Sequence, residues 1–445
     1  MFKFLRRYYW ITKSFFARHY SIVLRTTILV LAVFALFFFF ARYFPTTKHT
    51  LRLGRIGKYT LVDFPLDVQT KISSGLVTVD QDGNVKPGLA KTWQVQDEGK
   101  TYLFTLDQDL VWHNGTPVVA EDITYNFKDV QVERGDNTIT YRLKESFAPF
   151  FSAVSRPILK KDKLGTKAYR LTKTQIGNGV IQSLQIENET ERLIYKFYPT
   201  ESSALTAYKL GDVDIIEGLS YVSQSISADA TTQVQNDQTT QNRQGVLFFN
   251  NNDLLLSSKS TRQALAYAIE DKTFGKERSL SPIDKSSWAY NNLIKTYDFD
   301  EAKAKSLFAQ DNPNPSSVNL EIKTILQYLN VAESIAESWQ KILGIQVNVK
   351  VVSNMMNGDY QTMLADFTAP VDPDQYTIWH STQATNFTHF SDLKIDKLLE
   401  DGRRTSDLQL RKELYQDFQR FLLEDCPAVF LFKSNSFTLS RKPLF

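Results

Sequence analysis

The stretch from Lys86 to Phe127 constrains the fold most, because strand signals and turn signals alternate along it. Trp93, Val95, Tyr102, Phe104 and Leu106 follow the period of two that strands show, and residues 97–100 (Asp-Glu-Gly-Lys) predict the hairpin loop between them. Residues 113–117 (His-Asn-Gly-Thr-Pro) predict a second turn, and Glu121-Asp122 predicts the start of a helix that runs through Phe127.

The order of these motifs resembles one family. The motifs are Pro-Gly-Leu-Ala at 87–90, Trp93, Tyr-x-Phe-x-Leu at 102–106, Trp-His-Asn-Gly-Thr-Pro at 112–117 and Ala-Glu-Asp-Ile at 120–123. Further matches are Gly-Asp-x-Asp at 211–214, Arg-Gln-Ala-Leu-x-x-Ala-Ile at 262–269 and Asp-Cys-Pro at 425–427. Together they resemble the extracellular solute-binding proteins of the dipeptide, oligopeptide and nickel type (family 5), which serve ABC importers.

The resemblance implies an α/β fold of two lobes, periplasmic-binding-protein-like and of type II, with an extra subdomain in the first lobe. We expect the first lobe at residues 51–250, its inserted subdomain at roughly 65–180, the second lobe at 251–428 and a return strand at 429–445. Chain crossings are expected near Val246–Asn250 and Ala428–Lys433. Within the second lobe, the helical spacing of Val331, Ile335, Trp339 and Ile342 between two strand patterns predicts a β-α-β unit that Gly344 punctuates.

The N-terminal residues predict a membrane attachment. Residues 1–25 carry Lys3, Arg6, Arg7, Lys13, Arg18 and Arg25 and no acidic residue, which predicts a cytoplasmic leader. An uncharged run, TTILVLAVFALFFFFA, follows. We expect a single transmembrane anchor at residues 26–44, a linker at 45–50 and an extracytoplasmic binding domain in a single-pass protein of the cell membrane. The alternative is a cleaved signal peptide, but the sequence ARYFPTTKHT after Phe40 offers no small-residue cleavage site.

Composition excludes several other classes. The net charge of +3 is too small to predict nucleic-acid binding, and one cysteine, Cys426, precludes an internal disulfide. The five histidines show no metal-ligand spacing, and no nucleophile with a neighbouring base is evident. We therefore expect a monomer that is not an enzyme, with no catalytic residues, no metal site and no cofactor.

The segment from Asp366 to His380 is the candidate specificity segment. Family members carry here a loop that ends in Asp-Pro, an aromatic-rich helix and an Asn-aromatic pair. The candidate ligand-binding residues are Asn250, Asp366, Phe367, Thr368, Asp372, Tyr376, Trp379 and Asn386. Asn250 has an alternative role as a cap on the strand end, and Tyr376 and Trp379 have an alternative role as core residues.

One departure from the family concerns the ligand's amine. In peptide-binding relatives this loop often supplies a tryptophan and an acidic residue that pairs with the terminal amine, and the matching positions here are Asp366 and Ala369. Burying an ammonium without a carboxylate costs several kcal/mol. An amine-clamped peptide therefore requires Asp366 or Asp372 as the substitute.

The resemblance implies capture of an oligopeptide or other small solute between the lobes and delivery to an ABC importer permease. No bond is made or broken in this mechanism, since the ligand only stabilises the closed form. The alternative is a membrane-anchored ligand-sensing or scaffold ectodomain. The leader of about 25 residues is too short for a signalling domain, which favours transport.

Overall fold

The computed structural model describes residues 2–41, 48–61, 63–160, 163–236, 242–352 and 359–442. The chain divides into two compact units, of which one holds the N-terminal helix and the other holds all the sheets. The end of the predicted anchor and the first part of the predicted linker, residues 42–47, lie outside the described residues, whereas His49 and Thr50, predicted as linker, belong to the first strand.

The first unit contains a single long helix, α1 (Phe2–Ala41). It runs unbroken through the predicted boundary between leader and anchor, although His19 has non-helical dihedral angles that mark a kink. The stretch from Arg6 to Leu36 is long and apolar enough to cross a membrane, and none of it is covered by protein.

The second unit begins with a mixed seven-stranded sheet, in the order β12-β18-β11-β1-β10-β9-β8. Strands β1 and β11 are parallel, and the other pairings described are antiparallel. The strands are β1 (His49–Ile56), β8 (Arg170–Gly177), β9 (Val180–Glu187), β10 (Glu191–Tyr198), β11 (Ile215–Leu219), β12 (Thr232–Asn236) and β18 (Phe437–Arg441). The helices beside them are α2 (Leu66–Ile72), α4 (Glu201–Lys209) and α5 (Gln224–Ser227).

A four-stranded antiparallel sheet forms the subdomain, in the order β4-β5-β7-β6. Its elements are β4 (Ala90–Gln96), β5 (Thr101–Leu106), β6 (Val130–Arg134), β7 (Thr138–Leu143) and the helix α3 (Phe150–Val154), with the small pair β2 (Val77–Val79) and β3 (Val85–Pro87) beside it. The predicted hairpin is confirmed, because β4 pairs with β5 across the turn Asp97–Gly99.

The predicted helix from Glu121 to Phe127 is wrong. Only a 3-10 turn, Ala120–Asp122, forms, and the chain after it is irregular. The guanidinium of Arg134 donates to the carbonyl oxygens of Ala120 (3.2 Å) and Ile123 (3.1 Å). Those carbonyls are the ones that a helix would need for its own amides, so this tertiary contact replaces the helical bonds.

A five-stranded sheet, in the order β15-β14-β16-β13-β17, organises the rest of the unit. Its strands are β13 (Arg243–Phe249), β14 (Asn319–Thr324), β15 (Gln346–Val351), β16 (Thr362–Thr368) and β17 (Ala428–Lys433). The helices are α6 (Lys259–Tyr267), α7 (Glu301–Asp311), α8 (Leu329–Leu343), α9 (Tyr376–Trp379), α10 (Leu393–Arg404) and α11 (Leu408–Asp425). The predicted β-α-β unit is confirmed, since β14 and β15 are parallel around α8 and Gly344 ends that helix with φ of 70°.

The placement of two strands differs from the prediction. We expected Val246–Asn250 to close the first lobe and residues 429–445 to return to it, but β13 and β17 pair with each other in the five-stranded sheet. Only β18 joins the seven-stranded sheet, beside β11 and β12. The continuous apolar runs in β13 and β17 identify each strand but not its partner, which tertiary pairing alone decides.

Candidate functional site

One cavity between the two major sheets holds about 1220 Å³. It lies at the carboxyl ends of parallel strands from both sheets. Residues Ser220–Val222 follow β11, residues Ile325–Gln327 follow β14, and Val352 follows β15. We call it the hinge cavity, because Asn435, in the connection from β17 to β18, also lines it. Ligands of open α/β sheets bind outside the carboxyl ends of the strands, which makes this cavity the candidate site.

The walls of the hinge cavity expose apolar side chains. Leu326 is 74% exposed and Tyr221 is 67% exposed, although both lie in a concave surface. Val222, Ile325 and Phe437 add further apolar surface. Exposed side chains of this size inside a cleft are available to cover the apolar part of a ligand.

Opposite charges face this cavity from the two sheets. Glu201, the first residue of α4, accepts hydrogen bonds from the backbone nitrogen and the hydroxyl of Ser220, both at 3.0 Å. Lys276 comes from the side of the five-stranded sheet and lies over the ring of Phe432, 4.3 Å from its centroid. Burial lowers the pKa of the Lys276 ammonium, and Arg243 lowers it further, against the opposing effect of Asp366. The cavity therefore offers one anionic and one cationic side chain on opposite walls.

The Asp366 carboxylate lies close enough to Lys276 to raise the pKa of its ammonium, and it contacts three other side chains. Its Oδ1 accepts hydrogen bonds from the hydroxyls of Tyr328 (2.5 Å) and Ser434 (2.8 Å) and lies 3.5 Å from Nε of Arg243. These contacts join β16 to the start of β13 and the end of β17. The Asp366 carboxylate is thus already matched by protein donors.

A second cavity of about 450 Å³ lies between the subdomain and the five-stranded half of the unit. We call it the edge cavity. Its walls include Tyr102 and Phe151 from the subdomain and Trp288 and Val371 from the other side. Within it, the two carboxylate oxygens of Asp372 accept hydrogen bonds from Arg411 at 2.6 and 3.1 Å. Arg411 has only 7% of its side chain exposed, and although burial opposes its charge, the negative charge of Asp372 raises its pKa.

Direct contacts close the rim of the edge cavity. The hydroxyl of Ser146 donates to the carbonyl oxygen of Arg404 (2.6 Å), and the backbone nitrogen of Ala148 donates to the carbonyl oxygen of Arg403 (2.7 Å). Both acceptors lie at the carboxyl end of α10, where carbonyl groups lack partners within the helix. Ser152 adds a hydrogen bond to Asp372 at 3.3 Å. The subdomain therefore caps this helix across the cleft.

Comparison with known proteins identifies the family. The family model of the bacterial extracellular solute-binding proteins, family 5 (middle region), matches residues 84–169 and 186–389, well over half of the chain. The chain belongs to this family. Its members are solute-binding proteins of ABC importers and not enzymes, and the same holds for this chain.

Curated relatives of this family 5 protein cover most of its length. It is 23% identical to the probable D,D-dipeptide-binding periplasmic protein DdpA of Escherichia coli, over 83% of this chain and 82% of the relative. It is also 23% identical to the oligopeptide-binding protein AppA of Bacillus subtilis, over 88% of this chain and 87% of the relative.

Solved structures confirm the two-lobed periplasmic-binding-protein fold. NikZ from Campylobacter jejuni, in complex with Ni(L-His), matches with a TM-score of 0.73 at 22% identity, over 88% of this chain and 94% of that one. AppA from Bacillus subtilis, in complex with a nonapeptide, matches with a TM-score of 0.68 at 20% identity, over 89% of this chain and 95% of that one. Among the residues described here, no group of three or more His, Cys, Asp or Glu side chains is arranged to hold a metal ion.

The structure separates Asn250 from the other predicted site residues. Its side-chain nitrogen donates to the carbonyl oxygen of Tyr360 (2.8 Å), and its Oδ1 accepts from the backbone nitrogen of Asn252 (3.1 Å). It follows the end of β13 that pairs with Thr362, whereas Asp366, Phe367 and Thr368 lie toward the other end of β16. These bonds favour the capping role.

The predicted aromatic residues lie in the core. Trp379 is 1% exposed and donates its indole hydrogen to Oε1 of Gln375 (2.8 Å), and Phe367 is 7% exposed. Both rings pack against Phe430. We correct the expectation for Trp379: its ring fills the core beside the five-stranded sheet, so its removal would create a cavity there.

The remaining candidates serve local packing and pairing. Tyr376 stacks on His380 at 4.1 Å and carries the guanidinium of Arg403 on its ring, also at 4.1 Å. Asn386 is 3% exposed and donates to the carbonyl oxygen of Phe390 (2.8 Å), and Thr368 pairs with Arg243 in the ladder. Ala369, at the position where relatives carry the amine-binding acid, is 3% exposed and donates its backbone hydrogen to Asn242 (2.8 Å). Of the eight candidates, all in the described chain, only Asp372 lines one of the two cavities.

Sequence reasoning missed the walls of the hinge cavity. Tyr221, Lys276 and Leu326 come from three loops that are far apart in the chain. A usable signal was the position of two of these loops directly after strands, because ligands of open α/β sheets bind outside the carboxyl ends of the strands.

Proposed function

We propose that this protein is a membrane-anchored, extracytoplasmic binding protein that captures an oligopeptide or similar small solute between two lobes and delivers it to an ABC importer permease. The observation that carries the proposal is the hinge cavity, where Glu201 and Lys276 present opposite charges from opposite walls. A short peptide carries an ammonium and a carboxylate on an apolar body. Its two ends would match the two charges, and its side chains would match Tyr221 and Leu326.

The lobes follow the sheets. We propose the seven-stranded sheet and the subdomain as the first lobe and the five-stranded sheet as the second, with a hinge in the connection after β17. A ligand that contacts both walls stabilises the closed form by its differential affinity, and a permease then recognises that form. The names of the relatives support this solute class, since they include dipeptide-binding and oligopeptide-binding proteins.

We propose that neither Asp366 nor Asp372 contacts the ligand's ammonium directly. Asp372 is occupied by Arg411, so it is poorly suited to a second cation. Asp366 acts on the ligand through Lys276, whose ammonium it helps to keep charged. We therefore propose Glu201 as the partner of a ligand ammonium and Lys276 as the partner of a ligand carboxylate.

The anchor is proposed from α1. Its apolar part is exposed and long enough to span a bilayer, and the basic residues that precede it support a cytoplasmic N-terminus. The binding domain then lies outside the membrane. We propose that it acts as a monomer, since one chain supplies both walls of the cavity.

Thermal unfolding of the full-length protein in lipid nanodiscs tests the proposal. A ligand at about a hundred times its Kd stabilises the native form by roughly 2.7 kcal/mol, so the unfolding midpoint should rise with the concentration of short unmodified peptides. Peptides with an acetylated amine or an amidated carboxyl terminus serve as matched controls and should shift the midpoint less. If neither peptides nor other small solutes shift the midpoint, the proposal fails and the sensing or scaffold role is favoured.

Tyr221 provides a variant that links any ligand to this cavity. Because its side chain is 67% exposed, Tyr221→Ala should leave the unliganded midpoint unchanged and reduce the shift that a peptide produces. Leu293→Ala, also at an exposed side chain but outside the cavity, is the control. A peptide shift that survives Tyr221→Ala unaltered would place the ligand elsewhere.

A further inference from the structure

The first half of α1 separates basic from apolar residues around its axis. At about 100° per residue, Arg6, Arg7, Lys13 and Arg18 fall within roughly two fifths of the circumference. The opposite side carries apolar and aromatic side chains, namely Tyr8, Tyr9, Ile11, Phe15 and Phe16. This separation is the pattern of a helix that lies between water and an apolar phase.

The kink at His19 divides this half from the rest of the helix. At 1.5 Å per residue, the part from Tyr20 to Ala41 is roughly 33 Å long, which is enough to cross the hydrocarbon core of a bilayer while the side chain of Arg25 reaches back to the headgroups. The part before His19 is therefore not needed to span the membrane. A change of direction at the kink allows it to lie along the surface while the second part crosses.

Large side chains on the apolar side are uncovered. Tyr8, Phe15 and Phe16 are 64%, 55% and 53% exposed, and no described residue buries this stretch. On the basic side, the ammonium of Lys13 lies 5.2 Å from the ring centroid of Trp10. An aromatic ring beside a cation suits the headgroup level of a bilayer, where one side of the residue is apolar and the other is wet.

We infer that residues 6–18 lie on the cytoplasmic surface of the membrane as an amphipathic helix that binds anionic lipid headgroups. The inference rests on the proposed anchor, which keeps this segment next to the bilayer. Four basic side chains and no acidic one match a negatively charged leaflet, and the opposite side buries Tyr8, Phe15 and Phe16 among the acyl chains. The protein should therefore bind more strongly to membranes that contain anionic lipids.

Spin labels on the full-length protein test this inference. Phe15→Cys places a label on the apolar side, Ser14→Cys on the basic side and Ile28→Cys in the proposed span. The native Cys426 is fully buried and burial raises its pKa to about 12, so it should not react, and the unmodified protein checks this. The measurement is label accessibility to oxygen and to a water-soluble nickel chelate, in vesicles of phosphatidylcholine with or without phosphatidylglycerol.

We expect the Phe15→Cys label to be in lipid and the Ser14→Cys label at the aqueous surface when phosphatidylglycerol is present. Neutralising Arg6, Arg7, Lys13 and Arg18 to Gln should lower the ratio of bound to free segment about fivefold per residue. The matched variant with Arg6, Arg7 and Arg18 changed to Lys keeps the charge and should keep the binding.

Two results would overturn the inference. One is a Phe15→Cys label that stays in water in both kinds of vesicle, and the other is a lipid contact that changes neither with phosphatidylglycerol nor with the Gln substitutions. The anchor is tested separately by the Ile28→Cys label, which should remain in lipid after a carbonate wash. A mature protein that lacks residues 6–18 would overturn both the anchor and the surface helix.

Discussion

The hinge cavity lies between the seven-stranded and the five-stranded sheets, and the edge cavity lies between the subdomain and the five-stranded sheet. The two cavities differ in whether their charged side chains pair with each other. In the edge cavity, Asp372 and Arg411 neutralise each other, and Ser146 and Ala148 close the rim with hydrogen bonds. In the hinge cavity, Glu201 and Lys276 face the space from opposite walls without bridging it. The edge contacts therefore hold protein to protein, whereas the hinge cavity keeps groups available for a ligand.

This difference shows why a charged residue in a cleft is not by itself a ligand-binding residue. A buried ion pair satisfies both partners, and an additional charge from a ligand would have to displace one of them. Among the described residues, Glu201 and Lys276 have no ion-pair partner that a ligand would have to displace, although Glu201 accepts hydrogen bonds from Ser220. The five predictions below test this division, from the largest expected effect to the smallest.

Trp379→Ala should lower the free energy of unfolding by about 3–5 kcal/mol, because it removes a fully buried ring from the core. Chemical denaturation measures the change. Tyr221→Ala, at a wall of the hinge cavity, is the contrast and should cost less than about 0.5 kcal/mol. A stable Trp379→Ala variant that loses only ligand affinity would return Trp379 to the binding site.

Arg411→Met should cost about 3–5 kcal/mol of unfolding free energy, since it leaves the Asp372 carboxylate without its buried partner. Denaturant unfolding again measures the loss. Arg420→Met on the same helix removes an exposed pair with Asp417 and should cost less than about 1 kcal/mol. Equal losses in the two variants would mean that the edge cavity does not depend on its ion pair.

Lys276→Gln should weaken binding of a peptide with a free carboxylate about ten- to a hundredfold, because it removes a charge-assisted hydrogen bond. Titration calorimetry measures the affinity, and binding of the amidated peptide should hardly change. Lys285→Gln, at an exposed lysine outside the cavity, is the control. Equal losses for both peptides would argue against a carboxylate at Lys276.

The pH dependence of stability and of ligand affinity tests Lys276 in two independent ways. Burial lowers the pKa of Lys276 in the folded protein, so between that lowered pKa and the ordinary value the unfolded chain binds more protons. Stability of the unliganded protein should therefore rise with pH across this window, while affinity for a carboxylate falls as the ammonium loses its proton. Lys276→Gln should remove the fall in affinity and should reduce the rise in stability only by the contribution of this one group, because burial also lowers the pKa of Lys272 to about 7.

Ser146→Ala should reduce the apparent ligand affinity by about two- to fivefold, because it removes one hydrogen bond between the subdomain and α10 that we expect lobe opening to break. Small-angle scattering should show a larger open fraction without ligand. Ser225→Ala removes an exposed hydrogen bond to Ser223 away from the edge and is the control. Unchanged affinity and scattering would show that the rim contributes nothing to closure.

Much of the fold could be predicted from the chain alone. The hairpin at Asp97–Gly99 and the β-α-β unit around α8 follow from local periodicity and turn residues, and the structure confirms them. Predictions failed where a distant side chain competes for backbone groups, as Arg134 does at Ala120. They also failed where the partner of a strand decides its sheet, as for β13 and β17.

By itself, the sequence determined the family, the α/β class and the long apolar N-terminal helix, because these depend on motifs and periodicities within a few dozen residues. Only the tertiary structure decided which charged side chains pair within the protein and which line a cavity where a ligand can reach them. Asp372 and Lys276 look alike in the sequence as charged loop residues. In the structure, Asp372 pairs with the buried guanidinium of Arg411 from α11, whereas Lys276 lines the hinge cavity. The physical reason is that an ion pair or a cavity forms between residues far apart in the chain, and local sequence patterns do not predict such contacts.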